Sequence, residues 1–164
     1  ENEIARKLVS VEDFQDRSTV TILGDGLFES GSAQIQDQYY PVLARVSQAL
    51  DSVEGQIVVT GYTDDKPIQS LNFPSNWHLS QARADAVKEI LLNYIKNGGT
   101  RIRSEGRGST DPVAPNDTLE NRAKNRRVEI TLFTTGTGPK LGSAVEVKTN
   151  TSTTQPSSDV NTHQ

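Results

Sequence analysis

The period of the apolar residues switches back and forth along this chain, and that alternation narrows the folds open to it. Ser18 to Leu23 sets Val20 and Ile22 against Thr19 and Thr21, a period of two that predicts a strand, and Gly24, Asp25 and Gly26 then read as a turn. From Tyr39 to Val53 the apolar residues Val42, Leu43, Val46, Ala49, Leu50 and Val53 recur at helical spacing, ended by Gly55. A continuous apolar run at 56–62 predicts a buried strand. A helix over 75–96 stops at Gly98-Gly99, a charged edge strand follows at 101–105, Thr118 caps a short helix to Arg126, and Val128, Ile130 and Leu132 alternate in a last strand. The order β-α-β-α-β-α-β predicts an α/β two-layer sandwich, with a mixed four-stranded sheet and its helices mainly on one face. Residues 1–17 are loosely helical (Ile4, Leu8, Val11, Phe14) and read as a leading helix or the end of a linker. Residues 135–164 are dominated by Thr, Ser, Asn, Gln and Gly, a composition expected to stay disordered apart from a candidate strand at 144–147.

One residue breaks the pattern of the 75–96 helix. Leu79, Ala82, Ala86, Val87, Ile90, Leu91 and Tyr94 form one apolar arc, and Arg83 lies near its centre. It also stands near the helix start, where a cation is unfavourable unless an anion meets it. The nearest acid is Asp64, at the end of the buried strand, so Asp64 and Arg83 are the candidate site. As a pair they are equally a structural salt bridge.

Composition excludes other functions. With 17 basic and 21 acidic residues, net charge −4 and 5% aromatics, the chain has neither the positive field nor the stacking rings that nucleic acid requires. Cysteine is absent, and the two histidines, His78 and His163, are far apart in sequence, so no metal site, cofactor or histidine-based catalytic relay is expected. Asp64 with Asp65, beside Lys66, reads as a solvated turn rather than a glycosidase pair. The cluster Arg122, Lys124, Arg126 and Arg127 reads as a helix end. No methionine begins the chain and no run approaches the ~20 apolar residues of a membrane span, so the sequence reads as a fragment or processed form lacking its targeting segment.

Three motifs, in order, resemble the OmpA-like peptidoglycan-binding domain: Gly61-Tyr62-Thr63-Asp64, Ser75-Asn76-Trp77-His78-Leu79-Ser80-Gln81-Ala82-Arg83-Ala84, and Asn121-Arg122-Ala123-Lys124-Asn125-Arg126-Arg127-Val128-Glu129-Ile130. The resemblance covers residues 18–134. The longer loop Thr63-Asp64-Asp65-Lys66-Pro67-Ile68 is similar to the MotB/TssL subgroup, and Gly24 to Ala33 with Tyr40-Pro41-Val42-Leu43 is nearer its type VI secretion members than its flagellar stators.

The resemblance implies a non-catalytic wall anchor, periplasmic, in an inner-membrane protein of a Gram-negative bacterium. Its partners would be peptidoglycan of the diaminopimelate type and other secretion-complex subunits, with a homodimer as an option and a membrane reached only through an upstream segment. It implies that Asp64 takes the ammonium of diaminopimelate and Arg83 its carboxylate, with Asn76, Leu79, Ser80 and Thr63 as contacts and Arg126 on the neighbouring wall. One departure stands out. Where many relatives carry a further acid after the first strand, this chain has Phe28-Glu29-Ser30-Gly31, which leaves open an assembly domain of the same fold with weak or no wall binding.

Overall fold

A computed structural model describes residues 9–68 and 72–134 of the chain. A five-stranded sheet in the order β1-β2-β5-β3-β4 is formed by β1 Val9–Asp13, β2 Arg17–Leu23, β3 Gln56–Tyr62, β4 Ile102–Gly106 and β5 Arg127–Phe133. β3 and β4 run parallel and every other neighbouring pair is antiparallel, so the sheet is mixed as expected. Its five strands correct the expected four.

The added strand is β1, where the sequence had suggested helix or linker. Val9 and Val11 pair with Ile22 and Val20 and pack against the core, while Ser10 and Glu12 alternate with them. That period of two prevails over the helical spacing of Leu8, Val11 and Phe14 because a short amphipathic segment gains most by pairing with β2 as an added edge strand of the sheet. Residues 1–8 and the tail from 135, including the strand expected at 144–147, lie outside the described residues.

The helices are α1 Gly24–Leu27, α2 Tyr40–Asp51, α3 Asn76–Leu92, α4 Gly98–Arg101 and α5 Leu119–Asn125. Leu43, Val46 and Leu50 of α2 and Val87 and Leu91 of α3 join Val20, Ile22, Ile57, Val59, Val128, Ile130 and Leu132 of the sheet in one core. Ser75 caps α3 by accepting from the His78 amide, and Thr118 caps α5 by accepting from the Asn121 amide. α3 stops short of the expected Lys96, and Asn97, at φ +57, precedes the separate turn α4. As expected for a protected edge, β4 carries the exposed Arg103, and α3 braces it through Gln81 Oε1, which accepts from the Gly106 amide at 2.9 Å.

Two glycines set the distance between α3 and the sheet. A Cβ on Gly61 would sit 2.2 Å from the Ser80 carbonyl oxygen, and one on Gly106 2.3 Å from the Gln81 nitrogen. The first turns of α3 therefore rest directly on the ends of β3 and β4, and this contact places α3 side chains next to the residues that follow β3.

Candidate functional site

β5 lies between β2 and β3, so its first residue has neighbours on both sides: Arg127 pairs with Leu23 and with Tyr62. The residues just beyond those strand ends converge on Arg126, from one side Gly24-Asp25 and from the other Thr63-Asp64. The Gly24 amide donates to the Arg126 carbonyl at 2.7 Å. Over this junction α3 projects Asn76, Leu79 and Arg83, which share a helix face. Together these residues line a cavity of about 620 Å³.

Each expected residue but one lines this cavity. Thr63 is buried, its amide donating to Gly108 O and its hydroxyl to Asp64 O, both at 2.8 Å. Asp64 is 7% exposed, and its two carboxylate oxygens accept from the Lys66 amide at 3.0 Å and from Arg126 Nη1 at 2.5 Å. Asn76 Nδ2 donates to Lys66 O at 2.9 Å and closes the loop that holds Asp64. Leu79 is buried beside it. The exception is Ser80, which is fully buried away from the cavity, donating to Trp77 O and accepting from the Gly108 amide, both at 2.9 Å.

Arg83 is buried, as its place in the apolar arc required, but Asp64 is not its hydrogen-bonding partner. Arg83 Nε donates to Ser32 O at 2.7 Å and Nη2 to Glu29 O at 3.1 Å, and the guanidinium lies 4.7 Å from the centroid of the Phe28 ring. Nη1 makes no hydrogen bond among the described residues. Burial pulls the Arg83 pKa down to about 10, opposed by the fields of Asp25 and Asp64, so the group stays charged at neutral pH. The acid beside the odd arginine is thus two acids acting through space.

Asp25, read from sequence as part of a turn, is the residue that was missed. Its carboxylate takes Arg126 in a fork, from Nε at 2.7 Å and from Nη2 at 2.8 Å. The hydrogen bonds from Arg126 hold the Asp25 carboxyl below its usual range, and those to Asp25 and Asp64 raise the Arg126 pKa. The pairing Leu23↔Arg127 is what brings Asp25 here, and no local pattern announces it. Gly31, which also lines the cavity, has φ +70, a backbone conformation that favours glycine over an acid. The basic cluster dissolves: Arg127 lies 3.8 Å from the centroid of Tyr62 and donates to Glu129, away from the site.

Two carboxylates, Asp25 and Asp64, and two guanidiniums, Arg83 and Arg126, are thus fixed around one open cavity. The chain belongs to the OmpA family, whose sequence profile matches residues 27–126, and it is a non-catalytic member. It is similar to the cell wall anchor of the type VI secretion system from Pseudomonas aeruginosa, at 50% identity and TM-score 0.76 over 81% of this chain and 92% of that one. It is also similar to the periplasmic domain of Helicobacter pylori MotB, at 31% identity and TM-score 0.71 over 90% and 93% of the two chains. Among curated proteins, motility protein B of Bacillus subtilis is 36% identical over 118 residues, 71% of this chain and 45% of that protein. The peptidoglycan-binding protein ArfA of Mycobacterium bovis is 35% identical over 121 residues, 72% of this chain and 35% of that protein. The chain spans about half the length of the motility protein B relatives it matches.

Proposed function

We propose that this chain is a periplasmic module that holds a cell-envelope complex to the wall by binding the diaminopimelate of peptidoglycan stem peptides. The observation that carries the reading is Arg83, a buried guanidinium with one nitrogen uncommitted among the described residues, in the same cavity as the Asp64 carboxylate. A planar, permanently charged fork suits a carboxylate, and Asp64 retains lone pairs for an ammonium beyond those used by Lys66 and Arg126. The likeness to the type VI secretion wall anchor, at 50% identity, favours a TssL-like setting over a flagellar stator. On that reading the parent is an inner-membrane protein of a Gram-negative bacterium, whose partners include other secretion subunits and, as an option, a second copy.

Sedimentation with purified peptidoglycan tests the reading. Asp64→Ala and Arg83→Ala are each expected to abolish pelleting, and a chain cut after Thr134 is expected to pellet like the whole. Retained pelleting by both variants would favour an assembly domain. Free diaminopimelate should compete, while a lysine-containing stem, which lacks the second zwitterionic head, should compete at least several-fold less well, since an unmet charged group costs about 1–3 kcal/mol. Equal competition by both would mean that the cavity reads another part of the wall.

A further inference from the structure

Arg126 is held by two carboxylates that differ in depth. Asp64 is the inner one, its side chain 10% exposed, and it receives a single nitrogen, Nη1. Asp25 is the outer one, 55% exposed, and it receives the other two, Nε and Nη2. A guanidinium has two edges that match a carboxylate with two parallel hydrogen bonds, Nε–Nη2 and Nη1–Nη2, and here the exposed acid takes the first and, through Nη2, keeps the second from forming fully on Asp64. That is the less expected division, because attraction is stronger at the buried carboxylate, where the effective dielectric is lower.

From this geometry we propose that Asp25 is a positioning residue of the ligand site, drawing Arg126 outward so that Asp64 keeps room for a ligand ammonium. The inference rests on the proposed diaminopimelate reading. Nη1 of Arg126 already places a cationic N–H on Asp64, on ground that the ligand ammonium would share or take. With Asp25 holding the fork, Arg126 yields that single bond without losing its counter-charge. Without Asp25, no other carboxylate among the described residues holds the fork, and Arg126 closes on Asp64 with two nitrogens. The inner carboxylate is then satisfied from within the protein.

The test is calorimetry with free diaminopimelate on Asp25→Asn, on Arg126→Gln and on the double variant, each checked by thermal melting. Asp25→Asn should weaken binding roughly tenfold or more, the scale of losing one charge-assisted contact. Arg126→Gln in the Asp25→Asn background should recover most of the loss, because the cation that would close on Asp64 is gone. No recovery would overturn the proposal and make Asp25 a direct contact. An unaltered affinity in Asp25→Asn would overturn it as well. A crystal structure of unliganded Asp25→Asn decides the point without any ligand: two Arg126 nitrogens on Asp64 are expected, and Arg126 unmoved or turned to solvent refutes the proposal. If the wild-type chain binds no diaminopimelate, the functional reading fails and that structure still judges the role of Asp25.

Discussion

Replacing Arg83 by alanine separates a binding arginine from a structural one, because the two roles predict different stabilities. Truncation removes the hydrogen bonds to Ser32 O and Glu29 O. Both carbonyls lie in a partly exposed loop and can turn to water, so the loss stays at the low end, about 1 kcal/mol each. The contact with the Phe28 ring adds about 1 kcal/mol. Against these stands the charge itself: burial pulls the Arg83 pKa down to about 10 from its ordinary value, about 3 kcal/mol of disfavoured burial at ~1.36 kcal/mol per unit, and alanine relieves it. Because the side chain borders an open cavity, its removal leaves no sealed void. The net change in stability is expected within about 1 kcal/mol of zero, a shift in melting temperature of a few degrees for a domain of this size. Thermal and urea unfolding by circular dichroism, beside peptidoglycan sedimentation, should show a folded protein that no longer binds. Breaking a buried ion pair costs about 3–5 kcal/mol. A loss on that scale would refute the reasoning and assign Arg83 to the scaffold.

Gly61→Ala should destabilise by about 1–3 kcal/mol or more in urea, since its Cβ would meet the Ser80 carbonyl at 2.2 Å, and ligand binding should weaken as α3 is pushed off the strand ends. A variant as stable as the parent would show that the helix has slack there. Tyr39→Phe should be neutral or stabilising by up to about 1 kcal/mol, because the buried Tyr39 hydroxyl has no partner among the described residues. A clear fall in melting temperature would reveal an unseen partner. The Asp25 carboxyl is depressed from 3.8 by Arg126, so its contribution is complete above that value and is lost as pH falls through the lower folded value. The stability gap between wild type and Asp25→Asn should therefore hold from neutral pH down to about pH 4 and close below it, and a gap that closed near neutrality would contradict the assignment.

What the sequence revealed and what it concealed divide along the range of the interactions. Arg83 was legible because a helix writes its faces into a local period, so a cation at the centre of an apolar arc is visible without coordinates. Asp64 was legible for a similar reason, as the first acid beyond a continuous buried strand. The cap Thr118 also showed itself through local chemistry. Asp25 was hidden, because its role comes from β5 inserting between β2 and β3, a pairing between distant parts of the chain. The same limit explains Ser80: its place in the motif implied a contact, while the close approach of Gly61 and Gly106 turns it inward. β1 was hidden because five residues carry too short a pattern to outvote the helical spacing around them.

Asp25 and Arg126 are 101 residues apart in sequence, Asp64 stands between them in the chain, and β5, which follows Arg126, stands in the sheet between the strands that precede Asp25 and Asp64. The cavity therefore has no partial form: it comes into being when β5 slots between β2 and β3, pairings that include the longest-range one of the sheet. A chain that is misfolded, nicked or still emerging during synthesis presents the same charges scattered on a string, and on the proposed function it would have no grip on the wall. On that reading attachment would work as an inspection step, admitting finished domains alone. Once attached, a domain opens more rarely, because the ligand is bound by the folded state and pulls the equilibrium toward it.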